Sequence, residues 1–144
     1  MESHILDISH VIQLSVAPVF LLTAIATMIN AMSGRLGRII DRRRLIQDRF
    51  QKADELHADQ IRLELEMLIR RSRLIYLGIL FSVLAALFIC LVVAGAFVGA
   101  LVEVELSKLV AVVFILAMSS MIVSLGLFLR EVYLGVSSGV HFSR

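Results

Sequence analysis

The chain has no tryptophan, a single cysteine and a single proline in 144 residues. The lone Cys90 excludes an intrachain disulfide and any cluster of thiolate metal ligands. It sits inside an apolar stretch, where it reads as a small buried hydrophobe rather than a reactive thiol. Without tryptophan, and with tyrosine only at Tyr76 and Tyr133, the aromatic belts of a membrane protein would be thin. The histidines His4, His10, His57 and His141 are scattered without metal-ligand spacing, so no metal site is expected. No Ser-His-Asp pattern, phosphate loop or acid pair occurs in the apolar region. The sequence therefore points to no enzyme and no cofactor.

The most consequential absence is that of charge. Val11–Met32, Leu74–Val102 and Leu109–Leu129 contain no Asp, Glu, Lys or Arg over 22, 29 and 21 residues. Each run exceeds the roughly 20 helical residues that cross a hydrocarbon core about 30 Å thick. With 59% hydrophobic residues and a mean hydropathy of +0.92, the composition is that of one small membrane domain.

What charge there is lies mostly between the first two runs. Gly34–Arg73 holds eleven of the fourteen Lys and Arg, against seven acids. Cytoplasmic loops concentrate Lys and Arg, so this island reads as cytoplasmic and not as a nucleic-acid site. Arg130 and Arg144 fall on the same side, and only Lys108 falls on the other. The expected topology has the N-terminus outside and the C-terminus in the cytoplasm. Ala24-Ile25-Ala26 looks superficially like a signal-peptidase site. The preceding Met1–His10 carries Glu2 and Asp7 and no Lys or Arg, so the first span is expected to be retained.

The chain thus divides into an external leader 1–10, span 11–32, a basic cytoplasmic segment 34–73, span 74–102, an external turn 103–108, span 109–129 and a tail 130–144. Asp7 or Ser9 could cap the first span. Pro18 should kink that helix or lie near its start. The basic segment has no proline, and its apolar residues recur at helical spacing. Leu36, Ile39, Ile40, Ile46 and Phe50 form one stripe, and Ile61, Leu65, Leu68 and Ile69 another. With Ala53–Asp59 as the turn, this predicts a helical hairpin. Asp41/Arg44, Asp48/Lys52, Asp59/Arg62 and Glu66/Arg70 are spaced for pairs along its arms. The fold class is all-α: three transmembrane helices with a cytoplasmic helical hairpin between the first and second.

Three sets of residues are candidates for function. Thr23, Thr27 and Asn30 share one face of the first span, either as hydrogen-bonding contacts between helices or as the lining of a pore. Arg70, Arg71 and Arg73 enter the second span, where such clusters set topology and anchor headgroups, or bind an anionic lipid specifically. Glu131 falls at the same depth and could pair with one of these arginines. Gly78 with Ser82, and Gly95 with Gly99, are pairs of small residues four apart, which let helices approach closely.

Several strings together carry a resemblance. They are Gln13-Leu14-Ser15-Val16-Ala17-Pro18-Val19-Phe20-Leu21-Leu22, Arg35-Leu36-Gly37-Arg38-Ile39-Ile40-Asp41-Arg42, Arg70-Arg71-Ser72-Arg73-Leu74-Ile75 and Phe128-Leu129-Arg130-Glu131-Val132. Over almost its whole length the chain resembles the bacterial three-span membrane proteins catalogued as domain of unknown function 2721. The resemblance implies the architecture above and a bacterial inner-membrane location. It implies no activity and assigns no functional residue.

Three spans alone cannot easily enclose a conduit, so a homo-oligomer is expected. The leading expectation is a passive ion channel or channel-like pathway lined by the polar face of the first span. The alternative is a non-transporting scaffold or regulatory subunit whose basic hairpin binds a cytoplasmic partner or anionic lipid.

Overall fold

The computed structural model describes the backbone of residues 2–51, 55–102 and 105–140, and side chains for 9–10, 12–51, 58–102 and 105–136. Among these residues the chain is three α-helices and no strand: α1 (Glu2–Phe50), α2 (Glu55–Val102) and α3 (Ser107–Val140). At 1.5 Å per residue the 49 residues of α1 and 48 of α2 run to about 70 Å each, more than twice a hydrocarbon core. The basic segment is therefore a continuation of the membrane helices and not a separate element. Ile12–Phe50, Ala58–Val102 and Ser107–Val136 each contain a stretch long and apolar enough to cross a membrane. The protein is a multi-pass membrane protein.

Several helix ends differ from expectation. The polar leader is already helical from Glu2, so Asp7 and Ser9 lie within α1 rather than capping it. Pro18 is well inside that helix. The hairpin turn is shorter than predicted, because α2 begins at Glu55 and takes in most of Ala53–Asp59. α3 runs on to Val140 through the Gly/Ser-containing tail. Propensity penalises Gly135 and Gly139 only modestly, and continued helix satisfies the backbone without a further partner. Lys52, Glu103, Val104 and the four C-terminal residues lie outside the described residues, as does the proposed Asp48/Lys52 pair.

The helices contribute to two compact units. One comprises the chain up to Ile29 and Phe81–Val123; its core is Ile25, Ala85, Ile89 and Ala117, with Leu22, Phe88 and Met121 packed around them. The other comprises Asn30–Leu80 and the chain from Ser124 onward. It buries Met32, Ile39, Ile46, Leu68 and Ile75. Along each helix the buried positions recur every seven residues: Ile25, Met32, Ile39 and Ile46 on α1; Leu68, Ile75, Ser82 and Ile89 on α2; Ala117, Ser124 and Glu131 on α3. That 3.5-residue period keeps a seam facing its neighbours when helices wind gently about one another.

In the hairpin arms the predicted stripes are only partly buried. Ile39, Ile46 and Leu68 are covered, Leu36, Phe50, Ile61 and Leu65 half-covered, and Ile40 and Ile69 exposed. Among the described residues none of the pairs predicted along single arms is closed. The pair that forms joins the arms, with Arg42 Nη2 donating to Glu64 Oε1 at 2.7 Å. Arg42 is exposed and Glu64 half-buried, so this bond adds at most about 1 kcal/mol and mainly sets register. Cys90 does not enter the core; it lies on the exposed surface of α2 beside Leu87 and Leu91.

Candidate functional site

Three charged residues meet where the uncharged runs end on the hairpin side. Arg35 follows the first run, Arg71 precedes the second and Glu131 follows the third. The carboxylate of Glu131, only 1% exposed, accepts from both cations. Arg35 Nη1 donates to Oε2 at 2.7 Å and Arg71 Nη2 donates to Oε1 at 2.9 Å. One acid of α3 thereby ties α1 and α2 together. The Arg35 guanidinium also lies over the Phe128 ring at 5.4 Å, a cation–π contact that presses it toward α3.

The surrounding sequence is shaped to this contact. A Cβ built on Gly135 would stand 2.7 Å from Arg71 Nη2, so the absence of a side chain one turn beyond Glu131 makes room for the guanidinium. One turn and more before it, Ser124 Oγ donates to the Gly78 carbonyl at 2.6 Å, and a Cβ on Gly78 would meet the Met32 side chain at 3.3 Å. Gly78 is thus where α2 comes close to both neighbours. Two arginines and one glutamate leave the cluster one positive charge in excess, and Arg71 Nε is buried without a hydrogen-bond partner among the described residues. A carboxylate buried this deeply is tolerable only because both oxygens are paired.

The polar face of α1 has a different character. Thr23 Oγ1 donates to the Val19 carbonyl at 3.3 Å and Thr27 Oγ1 to the Thr23 carbonyl at 2.9 Å. Each hydroxyl spends its one hydrogen on its own helix, so neither threonine by itself demands a partner on another helix. The Asn30 carboxamide, by contrast, is exposed and has no hydrogen-bond partner among the described residues, so at membrane depth it must face other protein or water. Between Phe20 and Ile40 no large hydrophobic side chain is exposed on α1. The exposed positions are instead Thr23, Ala26, Thr27, Asn30, Ser33, Gly34 and Gly37, with Ala24, Ala31 and Arg38 beside them. A Cβ on Gly34 or Gly37 would meet nothing within 4 Å, so packing within the protomer does not require glycine there. By contrast α2 exposes Leu80, Val83, Leu87 and Leu91, and α3 exposes Ile115, Leu116, Ile122 and Leu129. Those are surfaces suited to lipid; this part of α1 is not.

The remaining candidates are divided among separate surroundings. Arg70 and Arg73 are exposed, whereas Arg71 is turned inward to Glu131. At about 100° per residue Arg71 points about 100° from Arg70 and about 160° from Arg73, so neither of those shares its inward face. Gly78 and Ser82 are buried, and Gly95 is half-buried, with Val110 Cγ2 3.3 Å from where its Cβ would be. Gly99 borders an apolar cavity lined also by Pro18 and Val110. Arg35 as a second partner of Glu131 escaped sequence reasoning. The seven-residue step from Ala117 through Ser124 to Glu131 was the available signal, because it puts the acid on the buried seam.

A family model described as "Protein of unknown function (DUF2721)" matches residues 15–139. The chain belongs to that family, whose match takes in the second and third spans, nearly all of the first and the Arg35–Glu131–Arg71 cluster. No curated protein and no solved structure matches it.

Proposed function

We propose that copies of this chain assemble in a bacterial inner membrane with their α1 helices around a common axis, and that the assembly is a passive ion pathway. The observation that carries this reading is the exposed segment of α1 between Phe20 and Ile40, which offers small and polar side chains where a lipid-facing helix would offer large apolar ones. The free hydroxyl lone pairs of Thr23 and Thr27 and the carboxamide of Asn30 can replace water around a passing ion. Gly34 and Gly37 allow neighbouring copies to approach closely on the hairpin side. The reading assigns no enzymatic activity, metal or cofactor.

The cleanest test uses cysteine substitutions in a Cys90→Ala background. Thr27→Cys and Asn30→Cys are expected to react with small membrane-impermeant thiol reagents, whereas Leu87→Cys on the apolar surface of α2 stays inert. Asn30→Leu is expected to lower ion flux in reconstituted vesicles while the oligomer keeps its size. If both α1 cysteines are inert and Asn30→Leu dissociates the assembly, the face is an interhelical contact and nothing passes along it.

A second reading is favoured by the hairpin. Arg38, Arg44, Arg49, Arg62, Arg70 and Arg73 are all exposed, which suits a scaffold or regulatory subunit that holds anionic lipid or an acidic cytoplasmic partner. This second reading needs the hairpin in the cytoplasm. With single cysteines at Ser3, Ser107 and Ala58, reagent applied to intact cells should label the first two positions and spare the third. Labelling of position 58 from outside would invert the topology and overturn this second reading.

A further inference from the structure

The unit formed by the chain up to Ile29 and Phe81–Val123 carries a partly open cavity of about 1230 Å³, lined by all three helices. Its walls are made roomy by small residues on all three helices: Ala17 on α1, Gly95, Ala96 and Gly99 on α2, Ala111 on α3. Among the described residues only three that line it are polar, namely His10, Glu105 and Ser107, and all three lie beyond the uncharged runs. The volume exceeds the roughly 300–1,000 Å³ of ordinary small-molecule pockets. Apolar walls at hydrocarbon depth offer water few polar partners and suit a lipid chain instead.

We propose that this cavity holds one acyl chain of a phospholipid, whose zwitterionic head is bound at the His10–Glu105 end. The apolar walls at hydrocarbon depth suit the chain. The mouth offers the complementary pair that such a head needs: the His10 imidazole can donate to the phosphate, and the Glu105 carboxylate can accept from the primary ammonium. Both side chains are exposed and accessible to a headgroup. A helix of a second copy is the weaker occupant. At about 100° per residue, Leu14, Pro18 and Leu21, which line the cavity, lie on the side of α1 away from Thr23, Thr27 and Asn30. Copies meeting through the polar face would leave the cavity open to lipid. The inference is independent of any ion pathway, since it concerns one protomer and is read without measuring flux.

The experiment is native mass spectrometry of the full chain released from nanodiscs containing equal phosphatidylethanolamine and phosphatidylglycerol. One phosphatidylethanolamine per protomer is expected to survive activation that strips the remaining lipid. Ala96→Phe and Gly99→Leu fill the cavity and should abolish that retention, while Val98→Phe on the exposed surface of α2 preserves it. His10→Ala with Glu105→Gln should remove the preference between the two lipids. Should the filling variants fail to fold, the absence of tryptophan provides a second route. Phe114→Trp lines the cavity and should show saturable quenching by phosphatidylethanolamine with brominated acyl chains at low lipid ratio; Ile115→Trp, facing bulk lipid, should follow the overall lipid fraction. Equal retention of both lipids by the unaltered chain, retention untouched by the filling variants, or identical quenching of the two tryptophans would overturn the proposal. So would disulfide formation between copies carrying Ala96→Cys in the Cys90→Ala background, because a second copy would then occupy the space.

Discussion

Replacing Glu131 with alanine is expected to destabilise the protein by about 3–5 kcal/mol, the cost of leaving partly buried cations without their counter-charge. The substitution removes both acceptors at once, so Arg35 and Arg71 lose the 2.7 and 2.9 Å bonds that join α1 and α2 to α3. Glu131→Gln should cost less, because the amide oxygen still accepts from one guanidinium. Arg35→Leu and Arg71→Leu should each be milder than Glu131→Ala, since each leaves the carboxylate one partner. Combining all three as leucine should recover much of the loss, because a well-packed apolar cluster of similar volume is often as stable as a buried ion triad. Denaturant titration in mild detergent, followed by helix signal, reads the whole series. The Glu131→Ala deficit should persist at high salt, since a carboxylate 1% exposed is poorly screened. A variant within about 0.5 kcal/mol of the parent, the range of ordinary surface substitutions, would show that the cluster does not hold the helices together.

Leu68→Ala and Ile46→Ala are expected to open the hairpin and leave the spans intact. Leu68 is 5% exposed and Ile46 7%, and truncating a buried Leu or Ile to Ala costs about 2–5 kcal/mol. The arms carry few other buried apolar groups, and the exposed Arg42–Glu64 pair adds little. Their local stability is therefore small enough for one truncation to dominate it. Hydrogen exchange should accelerate over residues 39–50 and 61–69 and stay unchanged over 75–92. Leu80→Ala, at a site 51% exposed, is the control and should leave both regions unaltered. Exchange over the arms that does not respond to either truncation would mean that the buried stripe does not hold them.

Much of the architecture is legible from the residues because hydrocarbon imposes a simple rule. A helix satisfies its own backbone, and a run of twenty or more residues without charge can do little else than cross. The hairpin was legible for a related reason, as its apolar residues keep helical spacing through a segment without proline. The helix ends were less so. Polar leader and Gly/Ser tail look non-helical by composition, yet once a long helix is formed each further residue adds a backbone hydrogen bond at little cost. The packing residues Gly78 and Ser82 were recognisable as small, but smallness did not reveal which neighbour each meets: Gly78 admits Met32 and receives Ser124, while Gly95 meets Val110 in the other unit.

By itself the sequence determined the number of spans, the helical character of the basic segment and the family. Each follows from local composition or from strings that need no partner to be read. Only the tertiary structure decided that Arg71, and not Arg70 or Arg73, turns to Glu131, and that Arg35, 96 residues away along the chain, completes the cluster. It also decided that Thr23 and Thr27 close onto their own helix while Asn30 is left exposed. Those outcomes depend on the rotation of each helix about its axis. Side-chain packing across the seam selects that rotation, through contacts between residues distant in the chain that no local pattern specifies.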